Sequence, residues 1–389
     1  MFALGIGVTW LKADVIRNAE KQLLAQLSTP AIIAQCLSGK ISRMTTTTPI
    51  KVAAAHVAPV FLDRDKSIDK ACSIIHEAAA NGAQLVAFPE TFIPAFPVWL
   101  SLRAPIHNHG LFHELVDNAM RADGPEMAKL CKAAREANIF VSMGFNESVD
   151  SSVGTIFNSN VLINNEGAVL NHHRKLVPTF YEKLVWSPGD GGGLRVCNTP
   201  IGKIGMLICG ENTNPLARYT LIAQGQQIHI ANYPPIWPTH PPAPGSLAQA
   251  NSQSSAESKP ASNAYSLQDG IKIRGGNHAF EGKLFNIVVS AYLDKPAFDR
   301  LASLDKDAAH ILENSPRGVS AVFGPSGLPI TDIISEKEQL LYAEIDLAAC
   351  VEPKQMHDIA GGYNRFDIFK LTVNREAQRP IAFEPAIES

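Results

Sequence analysis

The sequence predicts a mixed α/β fold in which two sheets pack together between outer layers of helices. From Lys51 onward, short apolar runs alternate with amphipathic helical stretches, as strands and helices do in layered α/β proteins. Hairpin signals interrupt this alternation, so the sheets are expected to be mixed. The chain has 389 residues, 46% of them hydrophobic, which is enough to bury a large core.

The first predicted elements are a strand, a helix and a second strand. The apolar run 50–57 fits a buried strand. Apolar residues recur at helical spacing over 63–83, with Asp63 or Asp65 as the N-cap and a glycine as the stop. The run 85–90 predicts a second strand, which ends on a carboxylate.

The rest of the main domain continues this pattern and adds hairpins. The turn signals Asn165-Glu166-Gly167 and Pro200-Ile201-Gly202 each separate two strand-like runs. The predicted elements are helix 124–138, strand 139–147, hairpins 158–175 and 193–209, helix 215–225, strand 227–234, helix 270–285, strand 286–293, and a last hairpin that joins 318–327 to 340–347.

Three segments differ in composition from this domain. Residues 1–45 are poor in acidic residues and fit an organelle transit segment, a helical arm, or an extension before a start near Met44. We expect them to lie outside the catalytic fold, with the main domain at 46–375 and a C-terminal tail at 376–389. The Pro- and Ser-rich stretch 234–264 predicts a long loop within the domain.

Charge and cysteine spacing exclude several classes of protein. The net charge of −3 and the lack of a basic stripe argue against a nucleic-acid partner. No apolar run reaches the roughly 18 to 20 residues that cross a bilayer, so no membrane role is expected. The six cysteines are far apart, which favours a reducing compartment. We expect a cytoplasmic protein with a small-molecule substrate, while organelle targeting by 1–45 stays open.

Three reactive residues end apolar strands: Glu90, Lys175 and Cys209. Each has an ordinary alternative, because Glu90 could cap a helix, Lys175 could be a solvated hairpin residue and Cys209 could be an inert core thiol. Strand ends of layered α/β folds are also where active sites are built. Their joint occurrence therefore favours one site.

The chemistry of a cysteine nucleophile requires this set of residues. A free thiol is only a few per cent ionised at pH 7, so it needs a base to accept its proton and a positive charge to favour the anion. Glu90 could supply the base and Lys175 the charge. When the thiolate attacks an sp or sp² carbon, an ammonium group can stabilise the charge that develops on the substrate.

The chain from about Lys51 to Asn374 resembles the nitrilase superfamily. The segments "FPETF", "HRKLVPTFYEKLVWSPGDGGGLRV" and "LICGENTNPLARYTLIAQGQQIHIANYPP" are similar to its three motif regions in order, and the second and third look like the nitrilase branch. The resemblance implies a four-layer α-β-β-α sandwich, a carbon-nitrogen hydrolase domain at 46–375 and no cofactor or metal. It implies Cys209 as nucleophile, Glu90 as general base, Lys175 as stabiliser of the tetrahedral species, and Glu182 as an additional catalytic glutamate.

The implied activity is hydrolysis of an organic nitrile to the carboxylic acid and ammonia through a thioimidate and a thioester. The same three residues would serve an amidase or a carbamoylase of the superfamily. A non-catalytic assembly protein is the alternative from a different class, and the intact set of Glu90, Lys175 and Cys209 argues against it. The resemblance also implies a homo-oligomer built from dimers that can extend into a spiral.

Several positions depart from the family pattern or suggest other sites. Gly210 stands where many relatives carry Trp, and Gly362 where many carry His or a bulky residue, so substrate preference is not inherited. Glu211 is expected to orient backbone near the nucleophile. Two groups of histidines have no metal-site spacing and are interpreted as surface loop residues: His107, His109 and His113, and His172 and His173. The run "GDGGG" at 189–193 is interpreted as a turn.

Overall fold

The computed structural model describes residues 49–239, 266–379 and 381, which belong to one compact unit. The predicted extension 1–45 and the part of the predicted loop after Thr239 lie outside the described residues. No helix in the described ranges is long and apolar enough to cross a membrane.

Eleven strands are present in the described ranges. They are β1 (Ile50–His56), β2 (Leu85–Ala87), β3 (Phe140–Val149), β4 (Ser152–Ile163), β5 (Val169–Arg174), β6 (Cys197–Thr199), β7 (Gly202–Ile208), β8 (Ile228–Tyr233), β9 (Phe285–Ser290), β10 (Ala321–Phe323) and β11 (Gln339–Ile345).

Eight α-helices accompany these strands in the same ranges, and short 3₁₀ turns occur between them. The helices are α1 (Arg64–Ala80), α2 (His109–Asp117), α3 (Pro125–Ala137), α4 (Pro215–Ile222), α5 (Leu267–Gly282), α6 (Lys295–Ala302), α7 (Ala308–Asn314) and α8 (Glu352–Met356).

The strands form two mixed sheets. The six-stranded sheet has the order β11-β1-β2-β3-β4-β5, and β1, β2 and β3 are parallel. The five-stranded sheet has the order β10-β9-β8-β7-β6, and β7, β8 and β9 are parallel. Antiparallel strands complete both sheets, and the pairs β4–β5 and β6–β7 are the hairpins predicted at 158–175 and 193–209.

The two sheets pack face to face between helices. In β1, Val52 and Ala54 face a core shared with Met206 and Ile287 of the five-stranded sheet. The alternate residues of β1 face a second core, which includes residues of α1 and α3. On the far side, α4 and α5 pack against the five-stranded sheet. The predicted four-layer α-β-β-α sandwich is confirmed.

The predicted ends of α1 agree with the structure. The Asp63 side chain accepts a hydrogen bond from Lys66 N at 3.0 Å and is the N-cap, so the alternative cap Asp65 is wrong. After the helix, Gly82 adopts φ +82°, a left-handed conformation that favours glycine. This turn directs the chain into β2.

The last predicted hairpin is wrong. Strand β10 pairs antiparallel with β9 of the five-stranded sheet, whereas β11 pairs antiparallel with β1 of the six-stranded sheet. The two strands are consecutive in sequence but complete different sheets. A turn signal between two strands cannot show which sheet each strand joins. That depends on pairing with β9 and with β1, which lie elsewhere in the sequence.

Candidate active site

The three predicted residues at strand ends come together where the two sheets meet. Glu90 follows β2 and Lys175 follows β5 in the six-stranded sheet, and Cys209 follows β7 in the five-stranded sheet. All three side chains are buried. Reactive atoms of Glu90, Glu182 and Cys209 lie within 4.8 Å of one another. The structure thus places all four predicted site residues in one cluster.

The Lys175 ammonium binds both glutamates of this cluster. Its Nζ lies 2.7 Å from Glu90 Oε1 and 2.6 Å from Glu182 Oε2, and all three side chains have no solvent exposure. Burial disfavours the ammonium, but the charges of Glu182 and Glu90 outweigh it and raise the pKa of Lys175 well above its usual value. Lys175 is therefore a fixed cation, and the alternative that it is a solvated hairpin residue is wrong.

Glu90 keeps one oxygen without a hydrogen-bond partner. Its Oε1 accepts from Lys175 Nζ and, at 2.7 Å, from Asn158 Nδ2. Its Oε2 is buried and has no partner among the described residues. The carboxylate is thus held in place through one oxygen, and the other can accept a proton. Glu90 does not cap a helix.

Glu182 lies in a 3₁₀ turn, Phe180–Leu184, that follows Lys175 in sequence. Its Oε2 accepts from Thr179 N at 2.6 Å as well as from Lys175. Burial is the main cause that raises the pKa of Glu182 to about 7, and the nearby Glu90 charge adds to it against the opposing effect of Lys175.

Cys209 sits in an unusual backbone conformation at the end of β7. Its φ is +49°, a left-handed value that non-glycine residues rarely adopt and that occurs at functional sites. Asn212 Nδ2 donates to its carbonyl oxygen at 3.1 Å. Burial and the Glu90 charge raise the pKa of the thiol well above its usual value, although Lys175 acts in the opposite direction. The resting side chain is a neutral thiol.

A cavity of about 220 Å³ opens onto Cys209. Its wall includes Trp237, which stacks on Tyr181 with ring centroids 4.5 Å apart and packs near Phe96. A thiol that lines a cavity is not an inert core residue. The cavity is lined by Thr179, Phe180, Cys209, Gly210, Trp237, Leu267 and Arg274.

Sequence reasoning missed several of these residues. Trp237, Leu267 and Arg274 come from segments outside the three motif regions, so no local signal indicates their place in the cavity. Asn158 could have been found, because it is an amide within a buried strand of the six-stranded sheet. Such a side chain requires a hydrogen-bond partner, and here the partner is Glu90.

The geometry gives no reason to place a metal in this cluster. Glu90, Glu182 and Cys209 are close enough to share an ion, but the Lys175 ammonium already contacts both carboxylates. A divalent cation between them would meet a fixed positive charge.

The histidines separate into two groups. His107, His109 and His113 are exposed, as expected, but His109 and His113 lie on α2 and not in a loop. His172 and His173 lie on β5 instead of in a surface loop, and His173 is fully buried against Glu211 at 2.9 Å, so the surface prediction is wrong for this pair. The glycine-rich run forms a turn in which Asp190 accepts from Gly192 N, as predicted.

The sandwich and its buried cysteine, lysine and glutamates define a class of hydrolase. The family model of the carbon-nitrogen hydrolases matches residues 51–355, and the chain belongs to this family. Among its relatives are a nitrilase of Penicillium rubens, 33% identical over 336 residues (86% of this chain, 96% of that protein), and an arylacetonitrilase of Hypocrea virens, 35% identical over 329 residues (84% and 92%). The resemblance to the nitrilase branch is confirmed.

Solved structures share the fold at lower identity. A carbon-nitrogen hydrolase from Helicobacter pylori G27 has a TM-score of 0.58 and 21% identity, covering 79% of this chain and 93% of that chain. A Saccharomyces cerevisiae member of branch 10 of the nitrilase superfamily has a TM-score of 0.57 and 17% identity, covering 79% and 94%. At these identities the likeness concerns the fold alone.

Proposed function

We propose that this protein is a nitrilase that hydrolyses an organic nitrile to the carboxylic acid and ammonia, with Cys209 as the nucleophile. One observation carries the proposal: a buried ammonium, bonded to two glutamates, lies beside a cysteine that opens onto a cavity. Relatives named nitrilase and arylacetonitrilase, over most of the chain, support the choice of a nitrile over an amide or a carbamoyl compound.

The first step forms a covalent thioimidate. Because the resting thiol is neutral, its proton moves to Glu90 Oε2 as Sγ attacks the nitrile carbon. The triple bond becomes a double bond, and the nitrogen takes the proton from Glu90, which becomes a carboxylate again. Lys175 stabilises the charge that develops on this nitrogen, which is the function of a preorganised cation in a water-poor site.

Two water molecules then complete the reaction. The first adds to the thioimidate carbon with Glu90 as the base, and the tetrahedral species expels ammonia to leave a thioester. The second hydrolyses the thioester to the carboxylic acid and restores the thiol. Expulsion of the thiol instead of ammonia would release an amide. Glu182 stays bonded to Lys175 and Thr179 N and keeps the ammonium in place.

The cavity favours a nitrile with an aromatic substituent. Trp237 and Phe180 line the cavity, and Trp237 is held by stacking on Tyr181, so flat apolar surface lies close to the nucleophile. The name of the Hypocrea virens relative agrees with this preference.

Cys209→Ala is expected to abolish ammonia release from nitriles. The matched control is Cys197→Ala, because Cys197 is a buried cysteine on the neighbouring strand β6 and does not line the cavity. The control should keep activity within about threefold of the unmodified protein. Ammonia release by Cys209→Ala at the unmodified rate would refute the mechanism.

A substrate panel tests the choice of reaction. Aliphatic, aryl and arylaceto nitriles and the corresponding amides would be compared by ammonia release. We expect turnover of nitriles, with the highest kcat/KM for those with an aromatic group. Turnover of amides alone would make the protein an amidase of the same superfamily.

We also propose that the protein is cytoplasmic and assembles into a homo-oligomer built from dimers. The separated cysteines support the compartment. Exposed apolar side chains on α4 and on the segment after α8 support the assembly, since Leu216, Phe366 and Phe369 share a groove of about 870 Å³.

A further inference from the structure

Glu211 connects the two strands that carry Lys175 and Cys209. It lies two residues after the nucleophile, and its side chain is buried. Its Oε1 accepts a hydrogen bond from Leu176 N, and its Oε2 accepts one from Ile208 N at 2.7 Å. Leu176 directly follows Lys175 in sequence, and Ile208 directly precedes Cys209.

These two N–H groups belong to different sheets. Leu176 follows β5, the edge strand of the six-stranded sheet, and Ile208 is the last residue of β7 in the five-stranded sheet. Among the described residues no strand pairing connects the two sheets, so their separation at this point depends on side chains. One carboxylate that accepts from both strands fixes that separation at the active site.

His173 holds this carboxylate from a third direction. Its Nε2 lies 2.9 Å from Glu211 Oε2 and 3.2 Å from Oε1. Its Nδ1 is buried and has no partner among the described residues, and its Nε2 donates to Glu211 because a carboxylate can only accept. Burial raises the pKa of Glu211, but His173 and the two backbone N–H groups outweigh it and hold the pKa below its usual value.

We propose that Glu211, oriented by His173, is a positioning residue that sets the distance between the Lys175 ammonium and the Cys209 thiol. It acts through the backbone of its neighbours and does not line the cavity at Cys209. In its catalytic consequence this proposal depends on the proposed nitrilase function. A displacement of reacting groups by about 1 Å can lower a rate by about 100-fold, so the effect is measurable.

Two substitutions separate positioning from charge. Glu211→Gln leaves one acceptor oxygen for two strands and places an NH₂ group opposite a backbone donor. Glu211→Asp keeps the charge but is one methylene shorter, so it does not reach both strands from the same backbone position. A purely electrostatic role predicts nearly unchanged rates for Glu211→Asp, whereas positioning predicts a loss for both variants.

Glu147→Gln is the matched control. Glu147 is also a buried carboxylate bonded to a histidine of β5, with His172 Nε2 at 2.8 Å and Arg174 Nη2 at 2.6 Å. Among the described residues, the hydrogen-bond partners of its side chain lie in the six-stranded sheet, on β4 and β5, so it does not connect the two sheets. Glu147→Gln therefore measures the effect of losing a buried carboxylate while the contact between the two sheets through Glu211 stays intact.

Two measurements decide the proposal: steady-state kinetics on a nitrile, and the rate of Cys209 alkylation by iodoacetamide followed by peptide mass spectrometry. We expect both Glu211 variants to lose about tenfold or more in kcat, with KM changed by less than about threefold, and to alkylate more slowly. Glu147→Gln should stay within about threefold in both measurements, whatever its melting temperature.

Three results would overturn the proposal. They are unmodified kcat and alkylation in a folded Glu211 variant, an equal loss in Glu147→Gln, and failure of both Glu211 variants to fold, which would assign Glu211 to stability. If the unmodified protein released no ammonia from any nitrile, the proposed function would fail, but the alkylation rates would still test the position of Cys209.

Discussion

At the scale of single residues, the site depends on charges that burial alone would not tolerate. Lys175 keeps its charge because two glutamates face it at hydrogen-bond distance, and burial, with a smaller contribution from the Glu90 charge, raises the pKa of Glu182 to about 7. Substitution of Lys175 would leave two buried carboxylates without their cation, which is much more costly than loss of an exposed ion pair. Substitution of either glutamate leaves Lys175 paired with the other, so it should be less costly.

The raised pKa of Glu182 predicts a pH dependence of activity. Below about pH 7 the carboxyl gains a proton and no longer offers a full negative charge to Lys175, and above that pH it is ionised. We expect kcat/KM for a nitrile to fall as the pH decreases through about 7, measured by ammonia release in constant-ionic-strength buffers.

Two variants test the source of this acid limb. Glu182→Gln cannot titrate, so it should lower the plateau of kcat/KM by about tenfold or more and remove the limb near pH 7. Glu166→Gln is the control, because Glu166 is exposed in the turn between β4 and β5. A limb that persists near pH 7 in Glu182→Gln would assign the titration to another group.

At the scale of elements, two 3₁₀ turns face each other across the cavity. One is Cys209–Thr213, and the other is Phe180–Leu184, which carries Glu182 and is preceded by Thr179. They approach closely at Gly210, where an added Cβ would lie 2.7 Å from Thr179 Oγ1. Glycine at this position lets the turns approach and leaves the cavity wider than a large side chain would.

Enlarging Gly210 should therefore narrow the cavity and displace Thr179. We expect Gly210→Trp to lower kcat/KM for aromatic nitriles by about tenfold or more, and aliphatic nitriles should lose less. Gly210→Ala should have a smaller effect, and Thr179→Ala should partly restore it because the clashing oxygen is then absent. Gly154→Ala is the control, since a Cβ there meets no atom within 4 Å. Equal losses for both substrate classes would argue against a specificity role.

At the scale of the whole molecule, four layers are complete within the described ranges. The two sheets, α1 and α3 on one side, and α4 and α5 on the other all follow Thr47 in sequence. The family model also begins at residue 51. The predicted extension 1–45 stays a proposal, because it lies outside the described residues.

Removal of residues 1–43 is expected to leave a soluble protein with unchanged kcat/KM. The reason is that the strands which carry Glu90, Lys175 and Cys209 are supported by layers within the remaining chain. Activity and light scattering after size exclusion would be measured for both chains. Loss of soluble, active protein would show that residues 1–43 are needed for the fold. A fully active monomer would contradict the proposed oligomer.

Local sequence patterns predicted much of the secondary structure of this protein. Apolar runs, caps and turn residues predicted the elements from β1 to β9 to within a few residues, apart from an early end of β2, an early start of β4 and a shifted α5. These signals depend on neighbours along the chain, so they can be read directly. Helix α2 and helices α6 to α8 were not predicted, because short helices give weak periodicity.

The candidate site was predicted from residue type and strand ends together with the family resemblance. Glu90, Lys175, Glu182 and Cys209 are hydrophilic or reactive residues next to apolar runs, so their presence is visible in sequence. Their hydrogen bonds are not visible in sequence, nor is the place of Trp237 in the cavity wall, because Trp237 reaches the site from another part of the fold.

The sequence by itself determined the layers, the motifs and the reactive residues, since these follow from periodicity and from chemistry within short segments. Only the tertiary structure decided that β10 and β11 complete different sheets, that His173 is buried, and that Glu211 connects the strands of Lys175 and Cys209. Each of these depends on contacts between residues distant in sequence, and such contacts form only when both sheets are packed.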